Sequence, residues 1–345
     1  MQEMNLKDMV LVILLLAFAV VGGGCSSTAL ENADLEGNPP ELAEVSKPLY
    51  GVSLSPRSYE GEDFTAFFDL AAEAGTIVTW GDDWSNLGSG EGDFPIPELA
   101  DTFGYTPLAI VQVFRQDSGA LTRPLDETTR KDYIHSAVAF AQRYQPTYFG
   151  IGVEINWLYD NSPGDFEAFA ALFSDACDAI KAVSGDTTVF TIFQLETMKG
   201  LRGGLFGGTH NPAETQWSLL KRFPKADLIA FTTYPSLVFQ DPDAIPDNYY
   251  LEIGEHTDKP IAITEMGWHT GAIGGGWDGS GVKQARFVER FFSLTADVDL
   301  EVVIWSFLYD QDTVEPFRTM GLWSSDGTPR PAWEKWLAGV TGGKK

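Results

Sequence analysis

Two carboxylates stand at the ends of apolar, β-branched runs: Glu154 in Phe149-Gly-Ile-Gly-Val-Glu-Ile-Asn156, and Glu265 in Pro260-Ile-Ala-Ile-Thr-Glu-Met-Gly-Trp268. A run that apolar reads as a strand buried on both faces, as in a parallel sheet. A carboxylate is costly to desolvate there unless it is paired or does chemistry. In parallel α/β barrels the C-terminal ends of the strands are where active sites are built. Two glutamates on separate strands are what hydrolysis of a glycosidic bond requires, one as acid and one as nucleophile or base. The alternative for each is a structural ion pair with an arginine, for which Arg115 is the candidate.

These carboxylates need a frame, and the chain alternates short β-branched runs with helical patterns. Candidate strands are Leu49–Leu54, Thr76–Trp80, Leu108–Phe114, Tyr148–Glu154, Thr188–Phe193, Leu228–Thr233, Ile261–Glu265 and Val302–Phe307. In the fourth helix Phe166, Phe169, Ala170, Phe173, Cys177 and Ile180 recur at helical spacing, with Ser162 as N-cap, Pro163 at the first position and Asp165 in the first turn. The third helix shows Ile134, Ala137, Val138, Ala141 and Tyr144; the seventh shows Val282, Ala285, Val288 and Phe292; the sixth falls near Asn248–His256. Eight βα repeats predict an α/β fold with a single (β/α)8 TIM barrel over 48–341. The long Gly- and Trp-rich segments Gly81–Phe94, Glu196–Pro212 and Met266–Gly281 follow strands two, five and seven, where this fold carries function.

Composition narrows the substrate. A net charge of −26 with no basic stripe excludes nucleic acid and anionic polymers, which points to a neutral substrate. With only four histidines, no zinc-like spacing and no Gly-rich phosphate loop, neither metal nor organic cofactor is expected. Apolar residues make up 44% of the chain, enough for a large core, and Cys177 reads as a small buried hydrophobe on a helix face. The start of the chain reads as an address. Val10–Val21 is an apolar stretch too short to span a bilayer comfortably, and Gly22-Gly23-Gly24-Cys25 follows it. Small residues before a cysteine resemble a bacterial lipobox, which implies a signal segment over 1–25 and lipidation at Cys25. An uncleaved N-terminal anchor is the alternative, with the same extracytoplasmic destination. Residues 26–47, rich in Ser, Asn, Glu and Pro, read as a flexible tether. The lipid is the only expected membrane contact, and a monomer is expected.

Several segments resemble clan A glycoside hydrolases. Ile-Thr-Glu265-Met-Gly-Trp is similar to the clan's seventh-strand nucleophile segment, closest to the endo-β-1,4-galactanase and β-1,3-glucanase families. Asp227-Leu-Ile-Ala-Phe-Thr-Thr-Tyr234-Pro235 resembles the galactanase sixth strand, and Gly51-Val-Ser-Leu-Ser55 its first. Ile304-Trp305-Ser306-Phe307 resembles the eighth strand, and Asp326-Gly-Thr-Pro-Arg-Pro-Ala-Trp333 the closing segment. The resemblance implies a retaining endo-glycosidase acting on a neutral β-linked polysaccharide such as galactan, mannan or glucan. A non-catalytic glycan-binding lipoprotein on the same scaffold is the alternative. Glu265 is then the nucleophile, held ionised by hydrogen bonds from a group such as Tyr234, and Glu154 the acid/base, raised by a neighbouring carboxylate and apolar walls. Clan members place Asn directly before the acid/base; here Val153 stands there, so Asn156 or Gln194 is expected to supply the missing amide. The resemblance also implies a cis Trp305–Ser306 peptide and a Trp305 floor for the sugar. Trp80, Trp157, Trp268 and Trp277 are further candidate platforms, while Trp333 and Trp336 read as packing. Tyr234 and Arg115 complete the candidate substrate contacts. Glu196 and Asp310 read as solvated loop charges, and His269 as incidental.

Overall fold

The computed structural model describes residues 47–87, 95–116 and 118–342. The signal segment, Cys25 and all but the last residue of the tether lie outside the described residues.

Eight parallel strands form the barrel: Leu49–Ser53, Ile77–Asp83, Thr106–Gln112, Tyr148–Ile151, a fifth built of Thr188–Phe190 and Ile192–Gln194, then Ile229–Thr233, Ile261–Met266 and Leu300–Trp305. The fifth strand is interrupted at Thr191. Its first half pairs with strand four and its second with strand six, which closes the ring. Strand one meets strand eight in the register Leu49↔Val302 to Val52↔Trp305. The expected (β/α)8 architecture is therefore present.

Alternation along the strands sorts the apolar residues into two cores. Ile77, Leu108, Ile110, Val153, Phe190, Ile192, Ala230, Ala262, Val302 and Ile304 fill the barrel interior. Their odd-numbered or even-numbered neighbours, such as Phe149, Phe231, Ile263 and Val303, join a larger core shared with the outer helices. Pro163–Val183 buries the predicted stripe, Cys177 included, although Ser162 occupies the cap position without a side-chain capping bond. Gly281–Leu294 is capped by the Ser280 hydroxyl, which accepts from Lys283 N–H at 3.1 Å. There Val282, expected on the buried face, is 65% exposed, and Phe287 and Phe291 carry the contact instead.

Helices five and six depart from expectation. After strand five there is one short helix, Leu195–Met198, followed by a 3-10 turn over Trp217–Arg222; after strand six come 3-10 turns at Pro235–Leu237, Pro242–Ala244 and Leu251–Glu255. Pro212, Pro224, Pro235, Pro242 and Pro246 recur too often for a long helix, because each removes an N–H from the ladder. Packing replaces it: Trp217 stacks on His256 at 4.3 Å, and Lys199, nearly buried, pairs with Glu252 beneath them.

Candidate active site

Strand four ends at Ile151, and the chain turns sharply into the helix Ile155–Asn161. Gly152 takes φ 78°, and a Cβ there would stand 2.6 Å from the Phe169 ring, so only glycine fits. Glu154 follows in the left-handed region, φ 55° and ψ 39°, unusual for a residue with a side chain and a form of local strain found at functional sites. Glu154 is 4% exposed. Its Oε1 accepts from Thr232 Oγ1 at 2.6 Å and its Oε2 from Gln116 Nε2 at 2.9 Å.

Glu265 reaches the same place by a different device. Ile263 and Met266 pack in the outer core, and strict alternation from Ile263 would send Glu265 outward with them. A bulge between Ile263 and Glu265 shifts the register, pairing Glu265 with Thr232 of strand six. The bulge re-aims the carboxyl, a use of bulges common beside active sites. Glu265 Oε2 then accepts from Tyr234 OH at 2.7 Å, and that hydroxyl also lies 2.8 Å from Ser306 Oγ. Thr232 thus touches Glu154 while standing beside Glu265 in the sheet.

Among the described residues no cation is bonded to either carboxyl. The polar partners of Glu154 among those residues are Gln116 and Thr232 and that of Glu265 is Tyr234, all of them uncharged; Arg115 lies exposed on the two-stranded ribbon Phe114–Arg115/Ala120–Leu121. Burial pushes the Glu154 carboxyl up to about 8, aided by the charge of Glu265 and less by that of Glu196, against the pull of Thr232 and Gln116. Burial raises Glu265 to about 7, with the Tyr234 hydroxyl drawing it back.

Other expected contacts are placed elsewhere. Asn156 is fully buried; its Nδ2 donates to Gln194 O and Gln216 Oε1, and its Oδ1 accepts from Gln194 N–H at 2.8 Å. Both Nδ2 protons and the Oδ1 oxygen of this fully buried amide bond to the chain, so Asn156 clamps the helix after Glu154. Gln194 caps the helix Leu195–Met198 through Thr197 N–H and donates to Glu196 Oε2 at 2.5 Å. Val153 points into the barrel interior, its N–H donating to Gln112 Oε1.

Trp305 is a correction. It is fully buried on the outer side of strand eight, edge-on to Trp336 at 5.9 Å, and donates from Nε1 to Met320 O. The Trp305–Ser306 bond is trans, the one cis peptide among the described residues being Glu315–Pro316. Trp268 is likewise core, tilted against Phe287 at 5.2 Å. Trp80 is half-buried and leans on the outer core, on the same side as Val78. Trp157 and Trp277 are half-buried, and Trp333 and Trp336 pack as expected. Neither loop charge is solvated. Asp310 forms a double ion pair with Arg330, and Glu196 is 2% exposed. His269 is buried, its Nε2 bonded to Trp277 O.

No protein-family model matches the chain, and no curated protein does. Solved structures do. A family 39 glycoside hydrolase from Bacteroides cellulosilyticus WH2 shares 17% identity at a TM-score of 0.59, the match covering 88% of this chain and 65% of that one. An exo-β-1,4-mannosidase from Opitutaceae bacterium strain TAV5 shares 14% at 0.60, covering 85% and 59%. The fold is that of glycoside hydrolase barrels. The GH53 catalytic domain from Ignisphaera aggregans, at 14% and 0.57, is matched over 98% of its length and 88% of this chain. The chain thus spans under two thirds of the first two proteins but nearly all of the third.

Proposed function

We propose that this protein is a retaining β-glycoside hydrolase in which Glu265 is the nucleophile and Glu154 the acid/base. The observation that carries the reading is the buried Glu154–Glu265 pair at the ends of strands four and seven, whose hydrogen-bond partners among the described residues are all uncharged. Two carboxyls that cannot both ionise cheaply divide into an acid and a base. The division follows their partners. Tyr234 donates to Glu265 alone, which favours its charged form, while the carboxyl of Glu154 is the higher of the two. Glu265 attacks the anomeric carbon as the bond to the leaving oxygen breaks, and Glu154 gives that oxygen its proton. Water, deprotonated by Glu154, then displaces Glu265 and releases the sugar. With Glu265 ionised and Glu154 protonated as the active form, kcat/KM should fall on the acid side as Glu265 gains a proton and on the alkaline side as Glu154 loses its own, both limbs lying above the ordinary carboxylate range because burial raises both groups.

The barrel likeness to glycoside hydrolases, clan A among them, supports this class. The acidic surface favours a neutral β-linked glycan over a charged one, and the segment before Cys25 supports a lipid-tethered enzyme acting outside the cytoplasm. The test is release of reducing ends from galactan, mannan and glucan. Glu265→Gln should abolish cleavage of every substrate. Glu154→Ala should lose about 10²–10⁴-fold on unactivated substrates, and azide should rescue it with retained configuration. Rescue of a Glu265 variant with retained configuration, and of the Glu154 variant with inversion, would reverse the roles. Glycan binding with no product from the wild type would favour a non-catalytic binder.

A further inference from the structure

We infer that Glu196 is a positioning residue for the pair: its carboxylate pins the Tyr234 backbone, whose hydroxyl reaches Glu265. The inference rests on the glycosidase reading of that pair. Glu196 lies just past strand five and takes no part in the chemistry proposed above. Its Oε1 accepts from Tyr234 N–H at 3.0 Å, Thr233 Oγ1 at 2.7 Å and Tyr249 OH at 2.7 Å; its Oε2 accepts from Gln194 Nε2 at 2.5 Å.

Two of those partners favour its charged form. Tyr234 N–H can only donate. The Gln194 amide is oriented by its own Oε1, which accepts from Thr197 N–H at 2.6 Å, so its NH2 must face Glu196. Those donors favour the carboxylate form of Glu196 against the burial that raises its carboxyl, and among the described residues no cation pairs with it, an expensive arrangement to keep in a core. What it joins explains its place. Strand five ends at Gln194, strand six ends at Thr233, and Tyr249 arrives from the segment before strand seven. One carboxylate ties the three together at the base of the residue that donates to Glu265. Tyr234 reaches Glu265 through its ring while Glu196 holds its main chain, and Phe317 braces the ring edge-on at 5.1 Å.

The groups facing each member are few. Glu154 meets Gln116, Thr232, Glu265 and the charge of Glu196; Glu265 meets Tyr234 and Glu154, with Ser306 behind the tyrosine; Glu196 meets Gln194, Thr233, Tyr234, Tyr249 and, by field, Tyr250. Removing the Glu196 charge should let Glu154 ionise more readily. Freeing Tyr234 should make Glu265 harder to ionise.

The experiment is a ¹³C NMR titration of protein labelled at the glutamate side-chain carboxyl carbon, wild type against Glu196→Gln, without substrate. The expected result is a fall of up to about one pH unit in the Glu154 midpoint, and a rise in that of Glu265. Glu196→Asp keeps the charge but is one methylene too short to hold Tyr234 N–H, so it should raise Glu265 and leave Glu154 in place. This variant also serves if Glu196→Gln does not fold. Midpoints coincident with wild type, even with lowered stability, would reduce Glu196 to a structural residue and overturn the inference. A wild type that cleaves no glycan but shows these shifts would defeat the glycosidase reading instead.

Discussion

Replacing Glu154 with glutamine should make the protein more stable at alkaline pH while disabling it. The Glu154 carboxyl is buried, bonded to two neutral groups and beside Glu265, and rises from an ordinary value near 4.5 to about 8. A carboxyl whose folded pKa is raised favours folding most below its unfolded value and loses that contribution as pH climbs through the folded value. At about 1.4 kcal/mol per unit, the wild type should lose on the order of 4 kcal/mol through Glu154 between about pH 4.5 and about pH 8. Glutamine at 154 removes the titration and keeps the shape, with a carbonyl still able to accept from the Thr232 hydroxyl. Urea unfolding at several pH values in this range measures the difference, because other titrating groups are common to both proteins and largely cancel. The variant should approach wild-type stability at the acid end and exceed it by a few kcal/mol at the alkaline end, with unchanged m-values. Parallel stability curves would show that Glu154 is not held in a raised state, and the acid/base assignment would lose its physical basis.

Tyr234→Phe removes the donor to Glu265, and a hydrogen bond to a charged group is worth about 1.5–3 kcal/mol. The acidic limb of kcat/KM should move to higher pH, with activity near neutrality down about 10–100-fold; an unmoved limb would mean the tyrosine does not hold Glu265 ionised. Trp305→Ala should cost about 3–5 kcal/mol of stability as a large core truncation, seen as a lower melting temperature with KM for oligosaccharides unchanged. A raised KM at full stability would return Trp305 to the sugar subsite.

The apolar runs, their alternation with helical stripes and the glutamates closing two of them were legible in the sequence, because parallel strands buried on both faces tolerate little but Val, Ile, Phe and Ala. That was enough to read a barrel and the two candidate carboxylates. It was not enough to read direction. Trp305 has the same composition around it whether it faces the cleft or the helices, and only the register of strand eight against strand one turns it outward. Glu265 would have been sent outward by simple alternation, and a bulge set by pairing with strand six turns it inward. Helices five and six yield to short turns because their prolines forbid a ladder and distant rings, Trp217 on His256, supply the packing. Glu196 looked like a loop charge because its donors Thr233, Tyr234 and Tyr249 lie on later elements, 37 to 53 positions away. Side-chain identity is local, but whether a carboxylate is solvated, paired or raised depends on which distant groups the closed barrel brings against it.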